Sequence, residues 1–451
     1  MVHIKVKKGC NIPLGKPLPE KIGELPLPDL LAVNVAPFEE TKFRLLVKSG
    51  DRVKIGEPLL EVKGEGSVFV SSGSGTVKEV RRGLKRRLID VVIQRDADEE
   101  MVDSESLELS KASRDQLLDY LKRKGLFVYL RQRPFDIPAQ SNKTPRAIFV
   151  KAVETAPFVP PAELQVKGYE EDFAIGLEAL KKLTDGEVHL VYESHSSFAP
   201  FTQAKGVQRH TVEGPHPAAN VSVHIQKISP IRNVEEVIWT VTALDVTRIG
   251  HQIRTGAPRI DRVVAISGPG VIGEKQGFFR VRDGYPVGGL VNGRISEENL
   301  RYISGDLLTG TRVERDDYLG FFHTAFQVLP EGESRELLHF FRLGIDKFTA
   351  SKTYFSGFFK KSSYPFTTNQ HGEERAFVTG TPYDEVMPLD VPTMLLVKAV
   401  MAEDYDLAEE LGLLEVAPED FALPTFVCPS KIEMVEIIKT GLSAHAKEVL
   451  G

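Results

Sequence analysis

The sequence predicts a multidomain α+β protein, and three observations predict it. At 451 residues the chain is too long for one core, because single cores stop growing at about 250–300 residues. Its apolar pattern changes character along its length, from period-two alternation with glycine-rich turns, to alternating helix and strand signals, to strands again, to a helical tail. With 41% apolar and 27% charged residues it can bury ordinary cores. These shifts place a barrel-like unit at 1–105, an α/β unit at 106–256, a small β-rich module at 257–335 and a mainly helical unit at 336–451.

Met1 to about Asp96 is rich in strand signals. Val47 to Leu59 holds a Gly50-Asp51 turn, a second glycine at Gly56 and alternating apolar residues, and Ser72-Gly73-Ser74-Gly75-Thr76-Val77 follows. This resembles the flattened barrel of biotinyl and lipoyl carrier domains. Carriers hold their group on a lysine at a hairpin tip; here Glu61 to Gly66 is short and glycine-rich, so Lys63 reads as an ordinary turn lysine. Arg81, Arg82, Lys85, Arg86 and Arg87 form either a solvated hairpin loop or a docking surface for an acidic partner or anionic lipid heads.

Ser113-Arg114-Asp115-Gln116 is a capping-box start for a helix stopped at Gly125. Leu126–Leu130, Ala147–Val150, Val188–Tyr192 and Val237–Val241 read as strands, and Glu170–Leu183 and Asp245–Arg254 as helices, the second capped at Gly256. Such alternation implies a mostly parallel, covered, Rossmann-like sheet. Arg262–Ile266 and Phe278–Val281 are strands of the next module, expected to be β-grasp-like. Aromatics are frequent from Glu331 to Phe366, then Leu407, Leu411 and Leu414, and Ser430–Ile438, take helical spacing.

Composition excludes several classes. A net charge of −6 argues against nucleic acid as a partner. Two cysteines, Cys10 and Cys428, give no disulfide framework and no self-contained iron-sulfur cluster, and the chain reads as intracellular. No run of about 18 apolar residues occurs, the nearest being broken by Pro392 and Lys398, and Met1–Cys10 lacks a signal-peptide core. Work at a membrane would then pass through partners.

Gly268-Pro269-Gly270-Val271-Ile272-Gly273 matches a dinucleotide pattern, but Glu274 to Val281 returns to glycine and a strand where a helix is needed. In Gly214-Pro215-His216-Pro217 the prolines hold His216 extended in a stiff turn, and Asn220–Ile225 alternates as a half-buried strand. His189, His195, His210, His216 and His224 lack metal spacing, so structural roles are favoured; an ordinary imidazole pKa near neutrality would let His216 give a proton or hydrogen bond to a carbonyl. Arg131 to Asp136 and Thr155 to Pro161 each hold an aromatic beside proline, which suits a flat, oxygen-bearing ring such as a quinone or an ordinary packing plug. Cys428 reads as a small buried residue.

Several stretches in order resemble the A subunits of the sodium-translocating NADH:quinone oxidoreductases. They run from Lys7-Lys8-Gly9 and Ser72–Val77 through Arg133-Pro134-Phe135-Asp136, Thr155-Ala156-Pro157-Phe158, Gly214–Ile225, Ile303-Ser304-Gly305 and Val386–Asp390, to Glu419–Pro429. That family is related to the flavin-bearing NADH-oxidising subunit of respiratory complex I, but the Gly-Arg-Gly-Gly flavin loop and the cysteine run of that subunit are missing here. The resemblance implies a peripheral subunit on the cytoplasmic face of the bacterial inner membrane, with membrane-embedded partners. It implies no tightly held cofactor on this chain, ubiquinone as substrate, and flavins, iron-sulfur and NADH on partner subunits. Arg133, Phe135, Pro157, Phe158 and His216 are then the candidate quinone contacts. The alternatives are a soluble flavin- or NADH-dependent oxidoreductase using Gly268–Gly273, and a purely structural docking subunit.

Overall fold

A computed structural model describes residues 1–295, 299–332, 341–351, 353–359 and 361–450. Part of the aromatic-rich stretch from Glu331, at 333–340, 352 and 360, lies outside the described residues. Among them, no helix is long and apolar enough to cross a membrane.

The first two strands do not belong to the barrel. β1 (His3–Lys5) runs parallel to residues 211–213 and β2 (Ile22–Glu24) parallel to residues 278–280, so the amino terminus adds an edge to two other sheets. Alternation can mark a strand without telling which sheet receives it. The barrel-like unit then forms from β3 (Leu30–Asn34), β4 (Phe43–Leu45), β5 (Arg52–Val53), β6 (Pro58–Val62), β7 (Val68–Val70), β8 (Gly75–Arg82) and β9 (Leu88–Arg95). A four-stranded sheet, β3-β9-β8-β5, faces a three-stranded one, β4-β6-β7, across Val33, Leu59, Phe69, Val77 and Val91. Lys63 is an exposed turn residue between β6 and β7.

In the α/β unit α1 (Arg114–Arg123) starts at the capping box of Ser113 and Gln116. Leu126–Leu130 is not a strand. A 3₁₀ turn at Phe127–Tyr129 puts Phe127, Val128 and Leu130 into the core, so the apolar run reflects burial on all sides rather than extension. The sheet comprises β10 (Arg131–Arg133), β11 (Ile137–Pro138), β12 (Ala147–Ala152), β13 (Glu187–Glu193), β14 (Gln208–Glu213) and β15 (Ile238–Thr242), in the order β1-β14-β13-β12-β15-β10-β11. Strands β1 and β12 to β15 are parallel and β10 and β11 antiparallel. The helices are α2 (Ala162–Val166), α3 (Glu170–Leu183), α4 (Ala199–Thr202), α5 (Val221–Ile228) and α6 (Ala243–Thr255). Ile148, Val150 and Ala152 of β12 face α3 and α6, whereas Ala147 and Phe149 share a core with α5 and the carboxy-terminal helices. Gly176 and Gly250 let α3 and α6 touch, since a Cβ on either would overlap backbone of the other helix.

Asn220–Ile225 is also not a strand. Asn220 is the extended residue before α5, and Ser222, Val223, His224 and Ile225 are all buried. Six residues fit a period of two, but Val221, Ile225 and Ile228 equally mark one face of a helix.

The third unit is a six-stranded sheet in the order β19-β18-β20-β16-β17-β2. Its remaining strands are β16 (Asp261–Ser267), β17 (Gly277–Arg282), β18 (Leu300–Ser304), β19 (Thr311–Val313) and β20 (Ala325–Pro330), with the short helix α7 (Val287–Val291). Between β16 and β17 the chain makes only a 3₁₀ turn, Gly273–Lys275. Gly268 and Gly270 instead give room for Val328 of β20.

The tail is helical: α8 (Thr381–Asp384), α9 (Thr393–Met401), α10 (Tyr405–Glu410), α11 (Ala422–Val427) and α12 (Met434–Leu450). α12 begins later and runs further than Ser430–Ile438, because Lys431 takes a left-handed φ of 59° and delays the helix. Leu414 likewise lies beyond α10, in a 3₁₀ turn.

Candidate functional site

In an open α/β sheet, ligands bind beyond the carboxyl ends of the strands where strand order reverses. Here β13 and β14 lie on one side of β12 and β15 on the other, so the connection leaving β12 is at that reversal. It carries Glu154, Thr155, Pro157 and Phe158. Phe158 has a φ of 60°, a left-handed conformation that costs a non-glycine residue on the order of 1 kcal/mol or more. The loop is held there from outside, by Gln327 of β20 donating to the Pro157 carbonyl at 2.7 Å.

The connection leaving β14 brings His216 to the same place. Its Nδ1 lies 3.2 Å from Thr155 Oγ1, which also accepts from the Ala219 amide at 3.2 Å. Its backbone amide donates to Asn11, and its carbonyl accepts from the Cys10 amide at 2.8 Å. A Cβ on Gly9 would overlap that carbonyl, so Lys7-Lys8-Gly9 has a steric reason for its glycine. Burial lowers the His216 pKa to about 4. This corrects the expectation of a near-neutral pKa: His216 offers a neutral N–H rather than a transferable imidazolium proton.

Charged groups stand beside it. Lys151 Nζ meets Glu154 at 2.8 Å, with side chains 17% and 19% exposed, so the pair is partly accessible to solvent. Burial opposes charge on Lys151, but Glu154 and Glu419 outweigh it and raise its pKa. Burial also raises Glu154 against the pull of Lys151; the short contact and residual exposure favour the ion pair. Glu419, from the carboxy-terminal unit, is pushed up to about 7 by burial, with Lys151 opposing and Asp420 adding. Asp306, in the connection between β18 and β19, lies close enough to act on His216, Lys151 and His323. Sequence reasoning overlooked Lys151, Glu154, Asp306 and Glu419 as members of one site. Only the presence of Glu419 in the stretch Glu419–Pro429 hinted at it.

Arg133 and Phe135 are more deeply buried than this pair. The Arg133 guanidinium is buried and donates to Ser222 Oγ at 2.9 Å. Beside it Asp420 accepts from Asn220 at 2.8 Å and from the Ala417 amide at 2.7 Å. Phe135 is packed in the core, edge-on to His445 at 5.6 Å, and presents no open face to a ligand. Pro157, Phe158 and His216 are thus brought together, Arg133 supports them through α5 and Asp420, and Phe135 is a packing residue.

Of the other histidines, His189, His210 and His224 make structural contacts, and His195 is exposed. His210 accepts from the Val2 amide at 3.1 Å and meets His189 at 3.0 Å, and His224 donates to the Ala218 carbonyl at 3.0 Å. Among the described residues, no group of three or more His, Cys, Asp or Glu could hold a metal ion. Cys428 is buried with its sulfur 3.1 Å from Tyr383 Oη. In the basic hairpin, Arg81 pairs with Asp317 and Arg87 with Glu39 and the Ala36 carbonyl, leaving Arg82, Lys85 and Arg86 on the exposed tip.

Three family models match the chain: "NqrA N-terminal barrel-sandwich hybrid domain" at residues 4–96, "NqrA second alpha/beta domain" at 112–258 and "NQRA C-terminal domain" at 263–315. The A subunit of the Na(+)-translocating NADH-quinone reductase of Chlamydia caviae is 38% identical over 99% of this chain and 97% of its own length. The chain belongs to this NqrA family. The corresponding proteins of Chlamydia pneumoniae and Yersinia pseudotuberculosis are 37% and 34% identical, each over 99% of this chain and 98% and 100% of their own lengths. A chain of an NAD+-reducing [NiFe]-hydrogenase covers 74% of this chain and 66% of its own, at 11% identity and a TM-score of 0.38, too weak a likeness to carry an argument. Within the family match, Arg133, Phe135, Pro157, Phe158 and His216 fall in the second domain and Arg81–Arg87 in the first, while Glu419 and Asp420 lie beyond all three models.

Proposed function

We propose that this chain is the peripheral NqrA component of a Na(+)-translocating NADH-quinone reductase and contacts ubiquinone at the loops beyond β12 and β14. Full-length similarity to proteins of that name carries the first part. In this reading the chain sits on the cytoplasmic face of the inner membrane among partner subunits, some of them membrane-embedded, and the flavins, iron-sulfur and NADH belong to those partners. Its units are a biotinyl/lipoyl-like barrel at 1–105, a Rossmann-like domain at 106–256, a β-grasp-like module at 257–335 and a helical domain at 336–451, and the tip residues Arg82, Lys85 and Arg86 dock a partner.

The chemistry of these loops supports the second part. A quinone needs a flat apolar contact and hydrogen-bond donors for its carbonyls. Phe158 and Pro157 supply the first, and a neutral His216 supplies the second: when Thr155 Oγ1 donates to Nδ1, the proton sits on Nε2. Glu419, whose pKa is about 7, can hold a proton at neutral pH beside Lys151, and a quinone consumes protons as it is reduced. Phe158→Ala and His216→Ala, tested in the assembled complex, should each raise the KM for ubiquinone by about tenfold, the loss of one aromatic contact or hydrogen bond. NADH oxidation by an artificial acceptor should stay unchanged. An unaltered quinone KM in both variants removes the site assignment.

A further inference from the structure

The barrel, the α/β unit and the third unit meet around a cavity of about 50 Å³. Ser71 comes to it from the barrel, Tyr129 and Arg248 from the α/β unit, and Arg259, Arg262 and Asp283 from the third unit. One water needs about 10–15 Å³ of such space, so a group of several heavy atoms fits. The lining is one-sided in charge: Lys124, Arg248, Arg259 and Arg262 contribute cations, and Asp283 is the one carboxylate. Three of these cations are matched. Lys124 pairs with Glu105 at 2.7 Å, Arg248 with Asp245 and Asp283, both at 2.8 Å, and Arg262 with Asp283 at 2.5 Å.

Arg259 is not matched in this way. It is 5% exposed, and its Nη1 donates to two uncharged acceptors, the Gln165 carbonyl at 2.9 Å and Thr247 Oγ1. Asp261 lies 3.6 Å from its Nε, beyond hydrogen-bond reach, and is held by Arg280 at 2.5 Å. The Tyr169 ring, centred 3.7 Å from Cζ, covers one face of the guanidinium and leaves its in-plane N–H groups to be satisfied. Nε and Nη2 of Arg259, and Nε of Arg248, are buried and make no hydrogen bond within the protein. Burial outweighs Asp261 and lowers the Arg259 pKa, yet a guanidinium keeps its charge. A buried charge left without a partner is costly. Nε and Nη2 form one edge of the guanidinium, the edge that presents two parallel N–H groups to two oxygens of one oxyanion. We propose that this cavity binds a small oxyanion of phosphate size, which accepts from Arg259 Nε and Nη2, with Arg248 Nε as a further donor. An anion there joins the α/β unit to the third unit beside the Asp283 link, and its surroundings are already fixed, because Ser72 Oγ donates to the Asp283 carbonyl at 2.8 Å and Tyr129 stacks on Phe321 at 5.0 Å.

The test is calorimetric titration of the purified full-length chain with potassium phosphate, at an ionic strength held constant with potassium chloride. One saturable site per chain is expected. Arg259→Gln should weaken it by about tenfold or more, the loss of charged hydrogen bonds, and Arg259→Lys, which keeps the charge without the paired edge, should fall between the two. Arsenate has the shape of phosphate and scatters anomalously, so a crystal of the wild-type chain grown with it should show arsenic within hydrogen-bond reach of Arg259 Nη2. That readout needs no variant and decides the matter if Arg259→Gln does not fold. Absence of saturable phosphate binding, arsenic bound elsewhere, water alone in the cavity, or wild-type affinity in a folded Arg259→Gln chain each overturns the proposal. None of the candidate quinone contacts lines this cavity, so these outcomes leave the quinone-site reading as it stands.

Discussion

His216 Nδ1 lies 3.2 Å from Thr155 Oγ1, joining the loops that leave two non-adjacent parallel strands, β14 and β12. The same hydroxyl accepts from the Ala219 amide, so one oxygen fixes both the imidazole and the turn leading into α5. Thr155→Val keeps the shape and removes both bonds. It should cost about 1–3 kcal/mol in urea unfolding, because a buried imidazole nitrogen and an amide lose their partner. It should also raise the quinone KM of the assembled complex, and Thr155→Ser should restore both. Equal behaviour of Val and Ser would show that the hydroxyl does not matter.

Glu419 predicts an unusual pH effect. Its folded pKa of about 7 lies above its ordinary value of 4.5. The native state therefore keeps a proton that the unfolded state loses as pH rises from 4.5, and stability falls with rising pH until Glu419 ionises near 7. Glu419→Gln removes this cost of ionisation. The variant should gain about 1–3 kcal/mol on wild type between pH 5 and pH 8, read from denaturant midpoints. An identical offset at both pH values would contradict the burial argument.

Buried histidines act in the opposite sense. His189, His210, His216 and His323 are lowered to about 4 and His224 to about 3, chiefly by burial. Between those values and the ordinary 6.5 the unfolded state binds more protons, so stability should fall as pH drops through this window. Asp90, raised to about 6 by burial, and Glu419 partly offset the loss. His224→Gln retains a donor for the Ala218 carbonyl and should lessen the pH slope by up to about 1.4 kcal/mol per pH unit. Stability measured across pH 4–7 checks this.

Asp283 joins the α/β unit to the third sheet. It accepts two bonds from Arg248, both at 2.8 Å, and one from Arg262 at 2.5 Å. Burial would raise its pKa, but the two guanidiniums outweigh it and hold the carboxyl below its ordinary range. Asp283→Asn should destabilise the chain by about 3–5 kcal/mol, because two buried cations lose their counter-charge. Equilibrium unfolding that stays within about 1 kcal/mol of wild type would show that Asp245 suffices for Arg248.

Much of the fold was legible in the sequence, for physical reasons. The α3 helix at Glu170–Leu183 matches its expected bounds, and α6 ends at Gly256 in the left-handed conformation that glycine permits. The errors at Leu126–Leu130 and Asn220–Ile225 fall in short apolar runs, where burial on several sides erases the period that separates strand from helix. The exchange of β1 and β2 between sheets depends on tertiary pairing and leaves no local mark. In the site, proline and aromatic residues drew attention to Pro157, Phe158 and His216. Lys151, Glu154, Asp306 and Glu419 come from distant segments as ordinary charged residues, and only their burial together distinguishes them. Phe135 drew notice by the same proline rule, and its ring turned out to fill the core.

Purification of the tagged chain from detergent-solubilised membranes of its own cells, followed by an assay of sodium-stimulated electron transfer from NADH to ubiquinone, tests the central claim most directly. The account predicts that membrane-embedded subunits co-purify with the chain and that the preparation carries this activity. Recovery of the chain alone from the soluble fraction, with no partners and no sodium-stimulated quinone reduction, would contradict it.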